Sequence, residues 1–453
     1  MQLEKYVLNE KNCECKICKH HHDVDIPLEL VNETLAGNVT LFTGAGISTE
    51  SGNVLNTTFY ETILSKIPPQ EDDLDFPTLM EKFCNQPNGR FKLLSEIKSR
   101  FDTIDSFPEL TRSATSFHQE LGTLFTIKNI ITTNWDTYFE RYCQATPFVV
   151  DNDLAFWEAA DRRVLKIHGS IDNLSSIVAT NEDYKTCEKR LNTDIIGSLL
   201  KTILATQTVI FIGYSLSDTD FSTIYNYVKG QMNKLHKQAY IITPFVEEAE
   251  RFRDIGLIPI VTDGEYFINQ IKKHAVNKDL MLPDLIFESA NSLLDNVKKE
   301  HFRLNNEISA LEFPQVLYAT SYQDGLIHAL ERAIKMRNSG AYSHRCRLSL
   351  TASQYSNMKS KFLKNKSYID VAYIEGYLNG LIYLLLDEAE REDGYIPLYY
   401  AFGEKEDLVT FTNFKDFLKA KPEAHKASLK SAKRIIASVD APETIAFHHP
   451  PWL

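Results

Sequence analysis

Five short apolar runs, each closing on a polar or glycine-containing turn, constrain this chain more than any other feature. They span residues 38–43, 129–133, 164–168, 208–213 and 239–243. Apolar residues at helical spacing fill the segments between them. Strands alternating with helices predict parallel βαβ units, so the expected fold is α/β, a doubly wound, Rossmann-like parallel sheet. Between the first two runs, roughly residues 54–125 carry a helical pattern instead (Phe59, Ile63, Ile67; Leu93, Leu94, Ile97). This predicts a helical insert that forms a lid or a small subdomain. The stretch Met281-Leu282-Pro283-Asp284 marks a boundary. The expected organisation is a leader (1–30), an α/β domain (31–284) and a mostly helical domain (285–453) that regulates or oligomerises.

The turns hold the chemistry. Phe42-Thr43-Gly44-Ala45-Gly46-Ile47-Ser48-Thr49-Glu50 follows the first run directly. Glycines there let the backbone approach a phosphate, and a helix starting behind them would aim its free N–H groups at a pyrophosphate. The same residues also make an ordinary tight turn. Thr132-Thr133-Asn134-Trp135-Asp136 closes the second run. Strand carboxyl ends converge on the ligand crevice of a doubly wound sheet, and an Asn amide suits a ribose hydroxyl or a positioned water. An Asx turn capping the next helix is the alternative. His168-Gly169-Ser170 ends the third run; the imidazole is a general base or a packed, hydrogen-bonded histidine. Gly213-Tyr214-Ser215-Leu216-Ser217-Asp218 ends the fourth. It serves phosphates or a ribose, and one of Ser217 or Asp218 caps the following helix.

Together, in this order, the four motifs resemble the sirtuin superfamily, and within it the sirtuin-like domains of bacterial anti-phage defence proteins, over about residues 31–270. The resemblance implies an NAD+-binding catalytic domain. Gly44, Ala45 and Gly46 would contact the pyrophosphate with Ser48 close by, and Thr133 would line the cofactor site. Asn134 would hold the nicotinamide ribose and the attacking water, Asp136 would face the carboxamide, and His168 would be the general base. Gly213 and Ser215 would take the phosphate and adenosine-ribose end. Two departures matter. Deacylating sirtuins carry a four-cysteine zinc module between His-Gly and Gly-x-Ser, whereas residues 169–212 hold Cys187 alone. They also continue into Ile-Pro-x-Phe-Arg, where this chain reads Gly52-Asn53-Val54-Leu55-Asn56. No zinc module and no metal are therefore expected in the catalytic domain. The expected activity is hydrolysis of NAD+ to nicotinamide and ADP-ribose by an effector of abortive-infection defence, which depletes the cell of NAD+. By the same resemblance the partner would be a HerA-type ATPase, in a homo-oligomer. A protein deacylase or ADP-ribosyltransferase is one alternative. A nucleic-acid-binding or nuclease subunit of a defence complex is another.

Charge bears on the last of these. The net charge is −12. Residues 1–284 hold 28 basic and 40 acidic side chains and residues 285–453 hold 21 of each, so the excess belongs wholly to the first part. Residues 332–366 nevertheless carry nine Lys and Arg and no acid (Arg332, Lys335, Arg337, Arg345, Arg347, Lys359, Lys361, Lys364, Lys366). Such a stretch neutralises phosphates, docks on an acidic surface or is a solvated face over two helices. Cys13, Cys15, Cys18 and His20 are spaced for tetrahedral zinc but lie within ten residues, which also suits an adventitious binder. Seven cysteines, an odd number, and a polar N-terminus suggest reduced thiols and a cytoplasmic protein. The longest apolar run, residues 371–386, includes Glu375 and Asn379 and is too short to span a bilayer. It reads as a core or interface helix, with no membrane role.

Overall fold

The computed structural model describes residues 24–50, 54–68, 73–214, 219–393, 396–440 and 446–451. The chain divides into two compact units, Met1–Ala275 and Val276–Leu453. The Cys13, Cys15, Cys18 and His20 cluster lies outside the described residues.

The first unit is built on one parallel sheet of seven strands: β1 (Val39–Thr43), β2 (Asn129–Thr132), β3 (Thr146–Phe148), β4 (Arg163–Lys166), β5 (Thr208–Ile212), β6 (Ala239–Thr243) and β7 (Ile258–Val261). They lie in the order β3-β4-β2-β1-β5-β6-β7. The doubly wound α/β fold expected from the strand runs is the fold observed. Every residue of β1, β2, β5 and β6 is buried, which is why those strands read as continuous apolar runs. β3 and β7 were not anticipated, and both are edge strands containing a proline, Pro147 and Pro259. A proline reads as a strand breaker, yet an edge tolerates it because one side of the strand needs no ladder donor.

Register sets where the turns emerge. Thr43 stands beside Thr132 on one side and Ile212 on the other, and Thr132 stands beside Lys166. Gly44, Thr133, Ile167 and Gly213 therefore leave the sheet at one level. The chain goes from β1 to β2 on one side and later returns to β5 on the other, so this is a topological switch point, where such sheets bind ligands.

Helices Phe59–Leu64, Phe76–Cys84, Gly89–Ser106 and Pro108–Thr123 occupy the excursion between β1 and β2. Thr58 caps the first in a reciprocal box with Glu61, and Asp75 caps the second. The apolar faces of the first three (Ile63, Leu79, Phe83, Leu93, Ile97) share a core with Ile177 and Ala179, from the segment after β4.

The second unit is mostly helical, with Leu285–Glu307, Val316–Lys335, Arg345–Lys364 and Tyr368–Leu385 as its long members. The apolar run 371–386 belongs to the last of these and packs along Val316–Lys335 as core. A side chain at Gly376 would put its Cβ 1.8 Å from the Tyr322 carbonyl oxygen, so the two backbones touch. Among the described residues no helix is long and apolar enough to cross a membrane. The basic stretch falls at the end of one helix and along another. Arg337 pairs with Asp284 at 2.6 Å, Arg345 with Asp279 at 3.2 Å and Lys359 with Glu375 at 2.7 Å. Acids remote in sequence thus meet three of the nine charges.

Gly376→Ala should destabilise the second unit by about 1–3 kcal/mol through overpacking, read as a lowered melting temperature in calorimetry. An unchanged melt would contradict the close approach.

Candidate active site

The residues that leave the four strands at one level enclose a cavity of about 550 Å³. Gly44, Ala45 and Gly46 form one edge, in a single 3-10 turn (Ala45–Ile47) after β1. Gly213 faces them, with φ at +60°. The two turns touch through backbone: Gly46 N–H donates to the Gly213 carbonyl at 3.0 Å, and Gly44 N–H to Ile212 at 3.2 Å. A Cβ on Gly44 would lie 2.6 Å from the Gly213 oxygen, so no side chain fits there.

Asn134 is held from its own loop and from the glycine turn. Its N–H donates to Thr132 Oγ1 at 3.0 Å, and its Nδ2 donates to the Gly44 carbonyl at 3.2 Å and to Ser48 Oγ at 3.3 Å. These bonds fix the amide and leave Oδ1 buried, with no partner among the described residues. Asn134 lines the cavity. An amide held this firmly presents a fixed polar group at the cavity wall.

Asp136 also lines the cavity, yet both its oxygens have partners: Oδ1 accepts from Tyr138 N–H at 3.1 Å, and Oδ2 from Ser48 O–H at 3.1 Å. The first bond is the helix-capping role that the sequence left open. Ser48 is fully buried and absent from the cavity lining; it orients Asn134 and Asp136 from below. Thr133 and His168 line the cavity, the imidazole edge-on to the Tyr184 ring at 5.0 Å. Ser215 lies outside the described residues.

Several contributors were missed by sequence reasoning. Phe59, Tyr60, Phe76 and Phe101 of the insert line the cavity, and Phe59 and Phe76 pack against Trp135. Glu50 ties the glycine loop to the insert by accepting from Phe59 N–H at 2.9 Å and pairing with Arg100 at 2.9 Å. Lys166, fully buried in β4, donates to the Asp136 carbonyl and pairs with Glu140 at 3.1 Å. Burial pushes the Glu140 carboxyl above its usual range against the pull of Lys166. A lysine inside an apolar strand was the available signal for this support. Burial also pushes the Cys143 thiol up to about 12, so it is no nucleophile.

Residues 128–260 match the family of SIR2-like domains. The match begins at β2 and leaves out the glycine turn. The chain is similar to "NAD(+) hydrolase ThsA" of Enterococcus faecium, 26% identical over 67% of this chain and 64% of the relative. It is also similar to "Defense-associated sirtuin 2" of Bacillus subtilis, 24% identical over 62% of this chain and 29% of the relative. "NAD(+) hydrolase ThsA" of Bacillus cereus (strain MSX-D12) is 22% identical over 68% of this chain and 63% of the relative. The chain thus spans less than two thirds of the length of these relatives.

His118, on the Pro108–Thr123 helix, is fully buried against the rings of Phe117, Tyr138 and Phe139. Burial drives its pKa from 6.5 down to about 4. In that interval the unfolded chain binds a proton that the folded chain refuses. Stability should therefore fall as pH drops from 6.5 towards 4, by about 3 kcal/mol at the lower end. Urea unfolding across this window should show the slope, and His118→Leu should flatten it; an equal slope in the variant would assign the loss to other groups.

Proposed function

Taking the SIR2-like match as premise, we propose that this chain hydrolyses NAD+ to nicotinamide and ADP-ribose, as an effector of anti-phage defence. The observation that carries the reading is Asn134, fixed by three hydrogen bonds on the wall of a cavity whose facing edge is bare glycine backbone. The cavity suits the group: the glycines let the two turns meet through bare backbone at its edge, and the aromatic wall suits flat rings.

In the reaction the bond between the ribose C1′ and the nicotinamide nitrogen breaks, and its electron pair neutralises the positive ring. The oxygen of a water bonds to C1′ and a proton is lost. Asn134 Oδ1 would accept a hydrogen bond from that water or from a ribose hydroxyl, holding it in line. His168 would take a proton from the ribose hydroxyls or the water. Asp136, both oxygens engaged, would act by shaping the nicotinamide pocket, and Ser48 by fixing Asn134. Gly44, Ala45, Gly46, Thr133, Gly213 and Ser215 would bind the remainder of the dinucleotide. Water is favoured over an acyl-lysine as acceptor because residues 169–212 lack the four-cysteine module.

The wider reading is depletion of cytoplasmic NAD+ on infection by a homo-oligomer acting with a HerA-type ATPase. It is supported by the family resemblance of the motifs. Nucleic-acid binding through residues 332–366 has less support, since Arg337, Arg345 and Lys359 have acidic partners within their own unit.

The purified chain should release nicotinamide from NAD+ without acetyl-peptide, alone or with the ATPase added. Asn134→Ala and His168→Ala should each lower the rate at least about 100-fold, with unchanged circular dichroism. Release that requires acetyl-peptide would replace hydrolysis by deacylation, and wild-type rates in both variants would refute the site.

A further inference from the structure

The second unit brings together three groups that no part of the NAD+ reading uses. His301 is on the Leu285–Glu307 helix, Asp324 on the Val316–Lys335 helix, and His448 on the segment 446–451. His301 Nε2 is 3.2 Å from His448 Nδ1 and 3.7 Å from Asp324 Oδ1; His448 Nδ1 is 3.2 Å from the same oxygen. Four ligands held tetrahedrally at about 2.0–2.1 Å from a zinc-class ion stand about 3.3 Å from one another. The three atoms already form one face of such a tetrahedron.

The surrounding bonds orient each group as a ligand. Gln323 Nε2 donates to the Leu398 carbonyl at 2.9 Å, which turns its Oε1 towards His301 Nδ1 at 3.1 Å. His301 must then carry its proton on Nδ1, and Nε2 presents a bare lone pair to the centre. Asp324 Oδ2 is occupied by the N–H of His449 at 2.7 Å, which leaves Oδ1 for the centre. His301 and Asp324 are buried, whereas the His448 side chain is 55% exposed and gives the centre a face to solvent. A lone pair and a carboxylate oxygen thus converge on one imidazole nitrogen, and a cation between them satisfies all three.

We propose that His301, Asp324 and His448 hold a divalent transition-metal ion of the zinc class, with water in the fourth position, fastening segment 446–451 onto the helices of the second unit. His449 supports the same docking, with its ring stacked on Tyr373 at 4.1 Å and its Nε2 3.2 Å from Asp370. The site is independent of the NAD+ chemistry and stands or falls without it.

The test uses the full chain without a polyhistidine tag, with Cys13, Cys15 and Cys18 changed to Ser so that the leader cannot contribute thiolates. After loading with Zn2+ or Co2+ and dialysis, elemental analysis should find one metal per chain. The cobalt form should show visible d–d bands without a thiolate charge-transfer band. His448→Ala, an exposed position whose change should leave the fold intact, and Asp324→Asn should each abolish the bound equivalent. Gln323→Met should weaken binding about 10–100-fold. Zinc should also protect the C-terminal segment from carboxypeptidase in the parent and not in His448→Ala. No retained metal, or equal retention in parent and His448→Ala, would show that the three groups merely share hydrogen bonds and would overturn the proposal.

Discussion

The hydrogen bond from Gly46 to the carbonyl of Gly213 joins two turns that no side chain can separate. The rest of the cavity is referenced to it. Gly44, in the same turn, offers its carbonyl to Asn134 Nδ2, and Ser48, a few residues on, bonds both Asn134 and Asp136. The carboxamide and the carboxylate from β2 are thereby positioned against backbone from β1 and β5. Parallel register makes this possible, since it delivers all these residues at the same height above the sheet. A shift of a few tenths of an ångström between the two turns would move the amide whose oxygen is left open.

Electrostatics in the first unit is local. Its acidic excess would repel a dinucleotide, and among the described residues the cavity lining holds no Lys or Arg. Glu50, on that lining, is paired with Arg100. Lys166, fully buried and absent from the lining, is committed to the Asp136 carbonyl and Glu140. The N–H groups of Gly44 and Gly46 are spent on the Ile212 and Gly213 carbonyls, so the turns are locked to each other rather than held open by charge.

Much of this was legible in the residues. Buried central strands must be apolar along their length, so β1, β2, β5 and β6 announce themselves, and their ends carry Gly44, Asn134 and Gly213. β3 and β7 were hidden because their prolines look like breaks and because an edge strand is too short and too exposed to show a pattern. The insert was visible as helices, but nothing in its spacing says that Phe59 and Phe76 turn towards Trp135. That depends on how the excursion folds back. The acidic partners of the basic stretch were hidden by distance along the chain: Asp279, Asp284 and Glu375 lie outside it in sequence and against it in space. The His301, Asp324 and His448 cluster was invisible for the same reason, its members being far apart in the chain.

The insert contributes wall to the cavity, and apolar surface is a large part of its attachment. Of its ion pairs to the rest of the unit, Arg90 with Asp183 and Arg141 with Asp105 are partly exposed and contribute little, whereas Arg100 with Glu50 and Lys272 with Glu120 are largely buried. The aromatic contacts to Trp135 and the shared core with Ile177 and Ala179 supply its apolar part. Letting a ligand in or out by loosening this wall would hydrate aromatic and aliphatic surface, with a positive heat-capacity change. Exchange at the cavity would then respond steeply and non-linearly to temperature, a response that the chain's net charge does not suggest.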